Sequence, residues 1–146
     1  MLKVAVLRAG SVEVPLPTYQ TSGSAGMDLH AALPEAVRLG PGERRLIPTG
    51  LCFAIPEGFE GQVRPRSGLA LRHGITVVNS PGTIDSDFRG EVGIVLINHG
   101  SDEVVIGPLE RIAQIIFAPV IQVELELQTS LPNSARSAGG YGSTGR

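Results

Sequence analysis

At 146 residues and 15.3 kDa the chain is the size of one ordinary domain, and its 19 glycines and 11 prolines describe a fold that turns often rather than a low-complexity segment. Twelve basic against 14 acidic residues leave a formal charge of −2, which excludes the basic excess of a phosphate-backbone binder, so no nucleic-acid partner is expected. A single cysteine, Cys52, excludes an intrachain disulfide and a cysteine-cluster metal site, and His30, His73 and His99 lack the spacing of a zinc site.

In chain order, the runs that read as structure are short and rich in Val and Ile: Leu2–Leu7, Arg45–Pro48, Leu51–Ile55, Gly61–Arg64, Ile75–Val78, Glu91–Asn98, Val104–Ile106 and Arg111–Val120. At Ile121–Leu127, Ile121, Val123, Leu125 and Leu127 alternate with Gln122, Glu124 and Glu126, the period of a half-buried strand. Turn signals separate the runs, among them Gly40-Pro41-Gly42, Ser80-Pro81-Gly82 and Asn98-His99-Gly100. The expected fold is all-β, a sandwich, jelly roll or barrel of short strands, with a helical turn or two only at Ser67–His73. Val4–Leu7 is too short for a signal peptide, and no apolar stretch approaches the roughly 20 residues of a membrane helix. The expectation is a cytoplasmic protein with no membrane partner.

The division expected is a β domain over 1–127 and a flexible tail over 128–146, because polar and then glycine-rich sequence replaces the apolar runs there. Terminal disorder is one reading of that tail. Arg136, Tyr141, Gly142, Ser143 and Thr144 support another, since a guanidinium, backbone N–H groups, two hydroxyls and a ring suit an anion carrying a ring system.

Four further segments are polar and glycine-rich where a core would not want them. In Ala25–Leu29, Asp28 can simply satisfy a turn at a strand start. In Arg64–Ala70, Ser67 can cap the following turn and Arg66 presents a fork suited to phosphate, or the arginines are merely solvated. Asn79–Glu91 reads as a hairpin whose tip gathers Asp85, Asp87, Phe88 and Arg89. A carboxylate there can deprotonate a water, a ring can pack under a sugar or base, and Asn79 offers donor and acceptor. In Leu109–Gln114, Arg111 and Gln114 interrupt an apolar strand, as a site pair or as polar residues of an edge strand. The tail lacks the lysine of a P-loop, and no G-x-S-x-G elbow is present. These residue types suggest a phosphate-ester site with water as nucleophile and do not name the substrate.

In order and spacing these five segments resemble the five motifs of the trimeric deoxyuridine triphosphatases, the dUTPases. The most specific stretches are Arg66-Ser67-Gly68-Leu69-Ala70, the run from Gly82 to Gly90, and Gly139-Gly140-Tyr141-Gly142-Ser143-Thr144-Gly145. The resemblance implies a jelly-roll-like homotrimer with active sites at subunit boundaries that cleaves dUTP to dUMP and pyrophosphate with Mg²⁺. It implies that Asp85 activates the attacking water, and that Asn79 with the backbone around Gly82 and Ile84 reads uracil. Phe88 would lie beneath the deoxyribose. Arg66, Ser67 and Gly68 would contact the triphosphate, with Gln114 near the phosphates and water. Arg136 would reach the γ-phosphate, and Tyr141, with Gly142 and Ser143 beside it, would cover the base. Asp28 and Arg111 would support the site, and no side chain would ligate the metal directly. From Leu127 to Arg136 an extended chain reaches about 30 Å, enough to cross to a neighbouring subunit. The chain departs from the common pattern at Phe88, often Tyr, at Leu109-Glu110, often Gly-Asp, and at Ser137-Ala138, often Gly-Glu. A dCTP deaminase-related enzyme and a non-catalytic trimeric nucleotide-binding protein are the competing readings.

Overall fold

The computed structural model describes residues 2–142 and 145. Its elements in order are β1 (Ala5–Arg8), β2 (Met27–His30), β3 (Val37–Leu39), β4 (Arg44–Ala54), β5 (Phe59–Arg64), α1 (Ser67–His73), β6 (Ile75–Val77), β7 (Gly82–Ile84), β8 (Glu91–Asn98), β9 (Val104–Ile106) and β10 (Arg111–Pro119). One four-stranded sheet runs β1-β4-β8-β6, a second runs β2-β10-β5-β7, and β3 pairs with β9. Every one of these pairings is antiparallel. The all-β expectation is met.

The sequence pattern explains the layering. Along β8, Val92, Ile94 and Leu96 point inward at alternate positions, and Ile47, Leu51 and Phe53 of β4 join them from the neighbouring strand. Leu29, Val63, Ile112, Ala113 and Ile115 of the second sheet close the same core cluster. Phe53 and Phe117 meet edge to face across the two sheets at 6.0 Å. Two polar residues are buried without loss: Thr49 donates to Val92 O at 2.6 Å, and Asn98 donates to Leu39 O and Asp102 O while accepting from Gly100 N–H.

Several local expectations change. Arg45–Pro48 and Leu51–Ile55 belong to the single strand β4, whose pairing with β8 slips between Pro48 and Cys52. Such an irregularity is where a central strand tolerates proline. Ser67 does not cap the helix. It is the first helical residue, with Arg66 at the cap position and no side-chain cap bond. Asn79–Glu91 is not a hairpin either, because β7 pairs with β5 in one sheet and β8 lies in the other. Ile121–Leu127 forms no strand, and Ile121, Val123, Leu125 and Leu127 are 73–100% exposed. An alternating face needs a surface to pack on, and its own chain provides none there.

Candidate active site

The register of the second sheet builds one half of the site. Gln114 of β10 stands opposite Asp28 of β2 on one side and Arg64 of β5 on the other. A register shift between Arg111 and Ala113 buries Ile112 and Ala113 in succession, which leaves Arg111 and Gln114 off the core. Arg111 and Gln114 therefore sit on a central strand between β2 and β5, not on an edge. The carboxylate of Asp28 accepts from Arg66 Nε at 3.0 Å and from Arg111 Nη1 at 3.3 Å. Arg66 Nη1 also donates to Arg111 O at 3.1 Å. One half-buried carboxylate thus aims two guanidiniums, leaving further N–H groups of both for an anion.

Gln114 Nε2 donates to Pro65 O at 3.0 Å, which ties β10 to the segment carrying Arg66 and Ser67. The other end of its amide lies against Gly26, where any Cβ would collide with it. Ser67 is exposed and Gly68 half-buried at the start of α1. At the base of β10, Leu109 holds the left-handed conformation at φ 58°, and its N–H donates to Ala31 O at 2.9 Å. Glu110 accepts from Gly107 N–H at 2.8 Å. That turn fixes where Arg111 begins.

His30 belongs to this cluster although sequence reading passed it over as a stray histidine. It lies two residues from Asp28 on the same strand face and opposite Arg111 in register, and its Nδ1 is buried without a hydrogen-bond partner among the described residues. Its pKa is pushed below the ordinary histidine value, by burial first. Asp28 opposes that shift, and Arg111 and Arg66 add to it. The i, i+2 spacing from Asp28 was the signal available. Gly26 and Pro65 left none, because their roles depend on the position of Gln114.

The second half lies at the other end of the β5–β7 ladder. Ile84 pairs with Gly61 and Gly82 with Val63, so Asp85 leaves past the Glu60 end while Arg66 leaves past Arg64. The intervening strand spans roughly 15–20 Å. Asp85 is exposed at the lip of an open cleft of about 910 Å³ lined also by Phe59, Glu60, Asp87 and Arg89. Among the described residues its carboxylate has no hydrogen-bond or ion-pair partner. Phe88 N–H donates to Asp85 O at 3.2 Å, closing a turn that presents Phe88 42% exposed. Gly82 is buried, Ile84 half-buried, and Asn79 exposed with its amide beside Gly82.

Among the described residues the tail makes no hydrogen bond or ion pair to either half of the site in its own chain. Arg136 is exposed, its Nε donating to Gly139 O at 2.7 Å, and Tyr141 is fully exposed next to Gly142. Ser143 lies outside the described residues. One chain therefore brings Asp28, Arg66, Arg111 and Gln114 together, holds Asp85 and Phe88 in a second group, and leaves Arg136 and Tyr141 apart from both. Among the described residues no helix is long and apolar enough to cross a membrane.

An all-β domain with guanidiniums aimed by a carboxylate on one sheet, and an unpaired carboxylate at a strand end, is laid out to handle an anionic ligand. Residues 12–145 match the dUTPase family. A protein of Anaeromyxobacter sp. (strain Fw109-5), a deoxyuridine 5'-triphosphate nucleotidohydrolase, is 58% identical over 145 residues, covering 98% of this chain and 97% of that protein. A variant of the Staphylococcus bacteriophage 80alpha dUTPase, solved with dUpNHpp, shares the fold at a TM-score of 0.88 and 24% identity over 99% of both chains. A variant dUTPase from phage phi11 of S. aureus, described with a coordinated structural Mg(II) ion, does so at 0.79 and 22% identity over 88% of this chain and 97% of that one. The chain belongs to the dUTPase family.

Proposed function

We propose that this protein hydrolyses dUTP to dUMP and pyrophosphate, keeping uracil out of DNA and supplying dUMP for dTTP synthesis. The observation that carries the reading is Asp85, a carboxylate uncommitted among the described residues at the lip of a cleft, in a member of this family. An aspartate held this way can accept a proton from water as that water attacks the α-phosphorus. The electron pair of the broken bond leaves with the pyrophosphate oxygen. Arg66, with Ser67 and Gly68, grips the phosphates, and Asp28 and Arg111 hold Arg66 in position. Gln114 fixes the Pro65–Arg66 segment and faces the phosphates and the water. Asn79, Gly82 and Ile84 read the uracil edge, and Phe88 lies under a sugar whose 2′-hydroxyl would meet carbon without a partner.

Mg²⁺ is the expected cofactor. It supplies charge neutralisation on the phosphate oxygens when bound. Arg66 and Arg111, both held by Asp28, suit the phosphates that would carry the ion. We further assign a homotrimer with shared sites, because Asp85 and Arg66 leave opposite ends of one ladder and a neighbouring chain's groups would complete each half. The body over 1–127 then carries a tail over 128–146 whose Arg136, Tyr141, Gly142 and Ser143 close over the nucleotide and exclude water. The location is cytoplasmic, with neither nucleic acid nor membrane as partner.

Asp85→Asn tests the assignment. Turnover is expected to fall by about 10²–10⁴ while a non-hydrolysable dUTP analogue still binds. Near-normal turnover would remove Asp85 from the role of base.

A further inference from the structure

We infer that Gly90 is a positioning residue for nucleotide selection, because the ring of Phe88 lies over it. A Cβ at position 90 would stand 2.7 Å from Phe88 Cζ and 3.0 Å from Cε2, too close for the ring to stay where it is. The backbone around the ring is already tied down. Phe88 N–H donates to Asp85 O, and Arg89 Nη1 donates to both Phe88 O at 2.9 Å and Ser86 O at 2.6 Å. With the peptide of Phe88 held on both sides, the exposed ring is the part with room to give way to a methyl at position 90. Rotation would carry the ring away from its present place beside the turn of Asp85. The bare backbone at Gly90 therefore sets where the aromatic surface stands relative to the general base.

This inference rests on the reading of Phe88 as the surface beneath the deoxyribose. If the ring excludes a 2′-hydroxyl by offering it only carbon, the discrimination depends on where the ring stands. Burying an unpartnered hydroxyl or shifting a carbon surface typically changes selectivity by about 10–200-fold. Gly90→Ala should then relax selection through the ring, with the phosphate-binding residues of the second sheet untouched.

The test measures kcat/KM for dUTP and for UTP in the full-length protein and in Gly90→Ala, Phe88→Ala and the double variant. Gly90→Ala is expected to lower the dUTP-to-UTP ratio at least about tenfold. The double variant should match Phe88→Ala alone, because without the ring the added methyl meets nothing closer than 3.5 Å. An unchanged ratio in Gly90→Ala, beside a lowered one in Phe88→Ala, overturns the inference and leaves the role of Phe88 standing. An unchanged ratio in Phe88→Ala instead overturns the reading of the ring itself. If Gly90→Ala unfolds more readily than the parent, recovery in the double variant supports the ring as the obstacle. Failure to recover places the obstacle in the backbone and overturns the inference.

Discussion

Replacing Val123 and Leu125 by serine should dissociate the protein into single chains. Ile121, Val123, Leu125 and Leu127 are exposed by 88%, 73%, 91% and 100%, although their alternation with Gln122, Glu124 and Glu126 describes one apolar face. Sequestering an aliphatic side chain is worth about 1.5–3 kcal/mol, so Val123 and Leu125 together contribute about 3–6 kcal/mol per segment if a neighbouring chain covers them. That corresponds to a factor of about 10²–10⁴ in the association constant for each segment. Sedimentation velocity over a concentration series reads the result directly. The parent is expected at three times the 15.3 kDa chain mass, and Val123→Ser/Leu125→Ser at the mass of one chain at micromolar concentration. Glu124→Gln/Glu126→Gln, on the other face, should leave the parent behaviour intact. A serine variant as associated as the parent, or a parent that is itself monomeric, would refute the reasoning.

Three other changes separate the roles assigned to particular segments. Truncation after Ser134 removes Arg136 and Tyr141, and turnover of dUTP should fall sharply while sedimentation still shows the trimer; loss of the trimer would make the tail a structural clasp instead. Leu109→Gly should raise the free energy of unfolding in urea by about 1 kcal/mol, because a leucine at φ 58° is strained and this one is substantially exposed. A clear loss of stability would mean that the leucine side chain packs against something that outweighs the strain. His30 has a folded pKa below the ordinary histidine value, so the unfolded chain binds its proton more readily. Its share of stability is present above about pH 6.5 and is lost as pH falls from there toward the folded value. His30→Gln should flatten that slope in urea titrations at stepped pH, and an undiminished slope would assign it to other groups.

Short apolar runs rich in Val and Ile made most core strands legible in the sequence. The apolar run of β8 marks a strand but not its face: Val95 and Ile97 are as apolar as Val92, Ile94 and Leu96, and only the packing shows which set is fully buried. The short strand β3 is not read at all from the sequence, β2 reads only as a strand start at Ala25–Leu29, and β7 as part of a hairpin, because pairing with β9, β10 and β5 across the chain is what defines them. Ile121–Leu127 shows the opposite failure. Its pattern is strong, but period two states only that one face is covered and not which chain covers it.

At the candidate site, residue chemistry and motif order picked out Asp28, Arg66 and Gln114, which the sheet register does bring together. That Asp28 serves two arginines, and that the Gln114 amide is committed to Pro65 O, depends on contacts between residues dozens of positions apart. No local spacing encodes them. The separation of Asp85 from Arg66 was equally invisible, because it follows from the antiparallel register of β5 and β7 rather than from their distance in sequence.

The most direct test is to incubate the purified full-length protein with Mg²⁺ and dUTP, UTP, dTTP or dCTP separately and to identify the products. Pyrophosphate and dUMP are expected from dUTP, with little or no product from the other three. Ammonia released from dCTP, or no product from dUTP, would contradict the assignment of a dUTP-hydrolysing enzyme.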